Sequence, residues 1–203
     1  MRKKLSALVA LFAVAGLLLP VAVSAATNTS LSQVINPGTL TYDIVDGAGS
    51  PVASPAVAFP ATTFSFSCQT QNATFGTASQ KVKVNNPVLS GVKLDINAQT
   101  PASDNWTTGS ESYSYKDAAG AGCTGGQMTV SGGSFNQTAG ANVPTFTLPG
   151  GAFTSTSPVT LMNNTSTTAW EGELTGYTLS QKVPAEQADG TYSLSMVISA
   201  IAQ

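Results

Sequence analysis

From residue 39 onward, apolar side chains recur at every second position in short runs separated by Gly, Pro, Asn and Asp. TLTYDIV (39–45) sets Leu40, Tyr42 and Ile44 against Thr41 and Asp43. GVKLDINA (91–98) sets Val92, Leu94 and Ile96 against Lys93, Asp95 and Asn97. TTFSFSC (62–68), QKVKVNN (80–86), VPTFTL (143–148), PVTLM (158–162), AWEGELTGYTLSQKV (169–183) and TYSLSMVISAI (191–201) repeat the habit. A period of two is that of a strand with one wet face, because successive side chains of a strand point to opposite sides. Asp46-Gly47, Asn85-Asn86-Pro87, Pro149-Gly150-Gly151 and Asp189-Gly190 supply the turns between runs, Gly through positive φ and Pro through its fixed φ. One helical turn is expected, at residues 185–188. The pattern predicts an all-β fold, an antiparallel β-sandwich of about ten strands with Greek-key, Ig-like or jelly-roll character. Residues 100–142 are richest in Gly, Ser and Thr and read as long loops, crossed by the strand-like QMTVS (127–131).

Composition narrows the functions open to such a fold. Charged residues make up 9% of the chain, against about 25% in an ordinary domain. Histidine is absent, which removes imidazole as general base or metal ligand. Eight basic residues against ten acidic leave no cationic surface for a nucleic-acid backbone. Arg2, Lys3 and Lys4 precede an apolar run from Leu5 to Leu19 and the small residues VAVSAA, the layout of a secretory signal peptide. Cleavage after Ala25 is expected, leaving residues 26–203 as a single domain. No later apolar stretch is long enough to span a bilayer, so no membrane span is expected after cleavage. Five lysines then face ten carboxylates, a net charge of about −5 on an exported protein.

Cys68 and Cys123 are the only cysteines. In an oxidising compartment they are expected to pair. Free thiols or an intermolecular bridge are the alternatives. A two-cysteine metal site lacks further ligands, and no metal or cofactor is expected.

Little in the chain suggests catalysis. Glu171 and Glu173, two apart on a strand, point to one face, whereas glycoside hydrolysis needs carboxylates facing each other across a cleft. No G-x-S-x-G elbow occurs. The protein is expected not to be an enzyme. Asp104-Asn105 with Glu111, and Asn163-Asn164, are the densest oxygen clusters and read as turn formers rather than calcium ligands. Trp106, Tyr113 and Tyr115 fall in the irregular polar stretch, where flat rings beside hydroxyls and amides suit a sugar. Their plainer reading is that the tyrosines share a strand face and Trp106 covers a core edge. Trp170, Leu174 and Tyr177 read as core. Asn28, Asn72, Asn105, Asn136, Asn163 and Asn164 each begin an Asn-x-Ser/Thr triplet, which matters only where such sites are glycosylated.

Three segments in order carry a resemblance: VINPGTLTYDI (34–44), KVKVNNPVLSGVKLDINA (81–98) and VPAEQADGTYSLSMVISAIAQ (183–203). Together they resemble the cell-surface domain of the Trp-x-Leu (WxL) type found in secreted bacterial proteins. Val92-Lys93-Leu94 and Met196-Val197-Ile198 stand where that family carries its two Trp-x-Leu motifs. The resemblance implies a β-rich module that associates non-covalently with cell-wall peptidoglycan, at an extracellular or cell-surface location. A second expectation is structural. The uncharged leader, residues 26–33, could add as a strand to a neighbour's open edge and so build a filament or sheath.

Overall fold

The computed structural model describes residues 32–36, 38–117 and 123–203. The chain divides into two units, Met1–Asn36 and Pro37–Gln203. In the first, residues 32–36 have no regular structure, and the expected signal peptide lies outside the described residues. The second unit is built from strands: β1 (Thr41–Val45), β2 (Gln69–Phe75), β3 (Lys81–Asn86), β4 (Val92–Ala98), β5 (Trp106–Thr107), β6 (Ser112–Tyr113), β7 (Gln127–Ala139), β8 (Phe146–Thr147), β9 (Gly151–Ala152), β10 (Val159–Asn164), β11 (Trp170–Val183) and β12 (Met196–Ala202).

All pairings are antiparallel. One sheet runs β1-β3-β11-β7-β9, the second β12-β4-β10-β8, and β5-β6 form a small hairpin. Strand β11 organises the first sheet. Strand β7 pairs with it from Glu171 to Lys182, while the opposite edge is shared by β3, against Trp170–Leu174, and β2, against Tyr177–Val183. The predicted sandwich is present. Val82, Val84, Leu174 and Tyr177 of one sheet close on Leu94, Ile96, Leu161 and Met162 of the other in a single buried cluster. Burying each such side chain contributes about 1.5–3 kcal/mol.

The two long strands change face midway. In β11, Trp170, Gly172 and Leu174 are buried, then Tyr177, Leu179 and Gln181, so the inward set moves from even to odd positions. Strand β7 makes the same change, from Met128 and Val130 to Phe135. Gly132, Gly133 and Gly176, with φ of 71°, 101° and 74°, sit at this corner, a backbone region that side chains other than Gly rarely adopt. Gly133 lies directly against the Tyr177 ring, where a Cβ would collide. The Tyr177 hydroxyl donates to the Leu161 carbonyl at 2.9 Å. Leu161 is the residue skipped by the β10–β4 ladder at a bulge between Thr160 and Met162. The phenol thus satisfies a carbonyl that the bulge leaves out of the ladder.

Several expectations are corrected. Residues 62–68 alternate but join no ladder, and Phe64 and Phe66 are 57% and 79% exposed. The edge of β11 from Tyr177 onward is filled by Gln69–Phe75 instead. VPTFTL contracts to the two-residue β8, while QMTVS grows into the thirteen-residue β7. No helix forms at 185–188, where Glu186 takes a left-handed φ of 57°. Cys68 and Cys123 form a disulfide with their Cα atoms 5.2 Å apart, joining the chain just before β2 to the segment leading into β7.

Candidate functional site

Two loops and a hairpin enclose a groove of about 490 Å³ at one end of the sandwich. One wall is residues 57–65, which join no ladder; Pro60 within it has no N–H to donate. Gln69 at the start of β2 holds this wall, accepting from the Thr62 hydroxyl and donating to Thr63 O at 3.2 Å. The facing wall, residues 183–192, leaves β11 at Pro184. Its Glu186 N donates to Ser65 O at 2.8 Å, tying the two walls together. Gly190 passes so near the β5–β6 hairpin that a Cβ there would meet Thr108 Cγ2 at 2.7 Å, and Ser193 and Thr107 exchange backbone bonds of 2.9 and 3.0 Å.

The hairpin supplies the aromatic floor. Trp106 and Tyr113 pair across it and stack with their planes 18° apart. Phe59 meets the indole edge-on at 5.5 Å, and Tyr192 meets Tyr113 at 5.0 Å. The Trp106 Nε1 donates to Gln181 Oε1 at 2.8 Å. Gln181 is itself buried, with its Nε2 donating to Lys182 O at 2.6 Å and to Ser114 O at 3.4 Å. The indole is therefore fixed by a side chain that belongs to the central strand. Tyr192 accepts from Gln187 Nε2 at 2.8 Å and donates to Ala188 O at 2.9 Å.

The groove is almost without charge. Asp189, exposed at the rim, is the single carboxylate in its lining, and no lysine or arginine lines it. Burial, and secondarily the nearby Tyr192 phenol, pushes the Tyr113 hydroxyl up to about 12, so it stays a neutral donor at any physiological pH. A half-buried aromatic surface flanked by amides offers stacking and hydrogen bonds.

Two of the three aromatics singled out in sequence, Trp106 and Tyr113, are brought together here. The third is not: Tyr115 is fully buried, its ring 5.6 Å from Phe153 within the core. Burial raises its hydroxyl above the ordinary phenol range. Its alternation with Tyr113 stops mattering because the hairpin ends at Tyr113 and the chain turns inward. Phe59, Gln181 and Tyr192 were not anticipated. The run Asp189-Gly190-Thr191-Tyr192, read only as a turn before a last strand, marked the place. Glu171 and Glu173 do share a face, and each is held in an ion pair, with Lys83 at 3.1 Å and Lys81 at 2.9 Å. Hydrogen bonding from Lys83 draws the Glu171 carboxyl below the usual range. Asp104, weighed as an oxygen ligand, instead closes its own turn by accepting from Thr100 N at 2.6 Å. No family model, curated protein or solved structure matches this chain.

Proposed function

We propose that this chain is exported and works as a non-catalytic, WxL-like surface module that holds a neutral glycan of the cell wall or cell surface in the groove floored by Trp106 and Tyr113. The observation that carries this reading is the pairing of fixed aromatic rings with amide side chains in a groove of about 490 Å³ whose single charged lining residue is Asp189. That volume lies within the range of small-molecule sites. Sugar rings offer an apolar face to stack on an aromatic and hydroxyls that amides and phenols can bond. The Gln71 side-chain amide and the Tyr113 hydroxyl make no hydrogen bond among the described residues and line the groove, where they can serve a ligand. The disulfide supports an oxidising location, and no helix among the described residues is long and apolar enough to cross a membrane.

The test is co-sedimentation of the exported protein with isolated cell walls, followed by titration of soluble wall fragments against tryptophan fluorescence. Trp170 is 3% exposed, so a ligand-dependent change reports on Trp106. Trp106→Ala and Tyr113→Ala are each expected to weaken binding about tenfold, or about 1.4 kcal/mol. Wild-type protein left wholly in the supernatant refutes the proposal.

A further inference from the structure

Unpaired strand edges invite pairing with other chains. The outer edge of β7 is covered by β9 only at Thr129 and Val130 and beyond them is bent at Gly132 and Gly133, whose φ is positive. Strands β8 and β9 have two residues each. The outer edge of β2 begins beside the wall that Gln69 ties down through Thr62 and Thr63. On β1, Ile44 O accepts from Val52 N at 2.8 Å, and the Ile44 N–H is taken by Asp43 Oδ1 at 2.7 Å.

Strand β12 is different. Gln203 N donates to Gly91 O at 2.8 Å and Gln99 N to Ser195 O at 3.1 Å. In that register the odd-numbered residues bond to β4. Met196, Ile198, Ala200 and Ala202 therefore turn their N–H and C=O groups away from the sheet. Among the described residues only the Tyr42 hydroxyl reaches this row, donating to Ile198 O at 2.9 Å. The strand reads MVISAIA, without charge, proline or bulge, and its outward Val197 and Ile201 are 44% and 50% exposed. None of the devices that protect an edge is present.

We infer that residues 26–36 of a second copy add as a strand along this edge. The segment ATNTSLSQVIN is uncharged like the edge itself and free of proline until Pro37. It lies ahead of the sandwich, whose first ladder begins at Thr41. Extended at about 3.3 Å per residue it spans roughly 36 Å, more than the roughly 23 Å of a seven-residue edge. Val34 and Ile35 are 83% and 84% exposed, apolar surface that pairing would cover. A donor segment ahead of the first strand and an acceptor edge on the last strand described make a head-to-tail contact, which propagates rather than closing in pairs. The inference is independent of what the groove holds.

Light scattering and negative-stain imaging of the exported protein are expected to show concentration-dependent chains. Ala200→Pro removes an N–H that the β4 ladder does not use and should abolish acceptance while thermal unfolding changes little. Ile201→Lys tests the same edge without touching the backbone. Val34→Asp with Ile35→Asp should abolish donation. Mixing the Ala200→Pro chain with the Val34→Asp/Ile35→Asp chain is expected to restore one-to-one dimers that grow no further. Tyr42→Phe, which removes the one hydroxyl on the row, should strengthen assembly. Wild-type protein that stays monomeric to its solubility limit overturns the inference. So does a Val34→Asp/Ile35→Asp chain that still dimerises, since β12 would then be pairing with β12.

Discussion

At the scale of single residues, the tyrosines show how far position outweighs type. Tyr113 and Tyr115 are two apart in sequence, yet one floors a groove and the other is sealed against Phe153. Only the end of the hairpin separates them, and nothing in SYSYKD says where a two-residue strand stops. Tyr177 was readable as core, but its role at the β10 bulge was not, since a bulge leaves no mark in PVTLM. Removing its hydroxyl in Tyr177→Phe strands the Leu161 carbonyl in the core and is expected to cost about 1–3 kcal/mol in chemical denaturation. Burial also pushes the Tyr177 hydroxyl above its ordinary range. A folded-state pKa above the unfolded one favours the folded form fully while the phenol is neutral in both states. That advantage is lost as pH rises past about 10, the unfolded value. Wild-type stability should therefore fall at alkaline pH, and fall less steeply in Tyr177→Phe.

At the scale of elements, the alternating runs located β3, β4 and β11 almost to the residue. They failed where alternation lacked a partner, as in TTFSFSC, because the physics of a strand resides in the ladder and not in the run alone. They failed also in the Gly-Ser-rich centre, where Gly132-Gly133-Ser134, just past the strand-like QMTVS, reads as loop and is instead the corner at which β7 swaps its inward face. Gly133→Ala tests that corner. Its methyl would enter the Tyr177 ring at a φ of 101°, so a loss of about 2 kcal/mol or more is expected in urea unfolding. Gly49→Ala, at a positive φ of 85° but with open space around it, is the control that separates backbone strain from collision.

At the scale of the whole molecule, class and layering were legible and the groove was not. Its parts come from residues 57–65, 106–113 and 183–192, and no local pattern links three such segments. The Cys68–Cys123 bridge, whose residues are 55 apart, constrains the unfolded chain, so reducing it or replacing both cysteines with Ser should cost about 4 kcal/mol, read as a lowered unfolding midpoint in matched denaturant titrations. The topology has a consequence for how the molecule comes into being. Among the described residues strand β2 has no ladder partner other than β11, and β7 depends on β11 for nearly its whole length. A polypeptide made from its first residue onward therefore holds its larger sheet incomplete until position 183 has emerged. Until then the larger sheet lacks its central strand, while β4 and β10 of the other sheet are already present to pair.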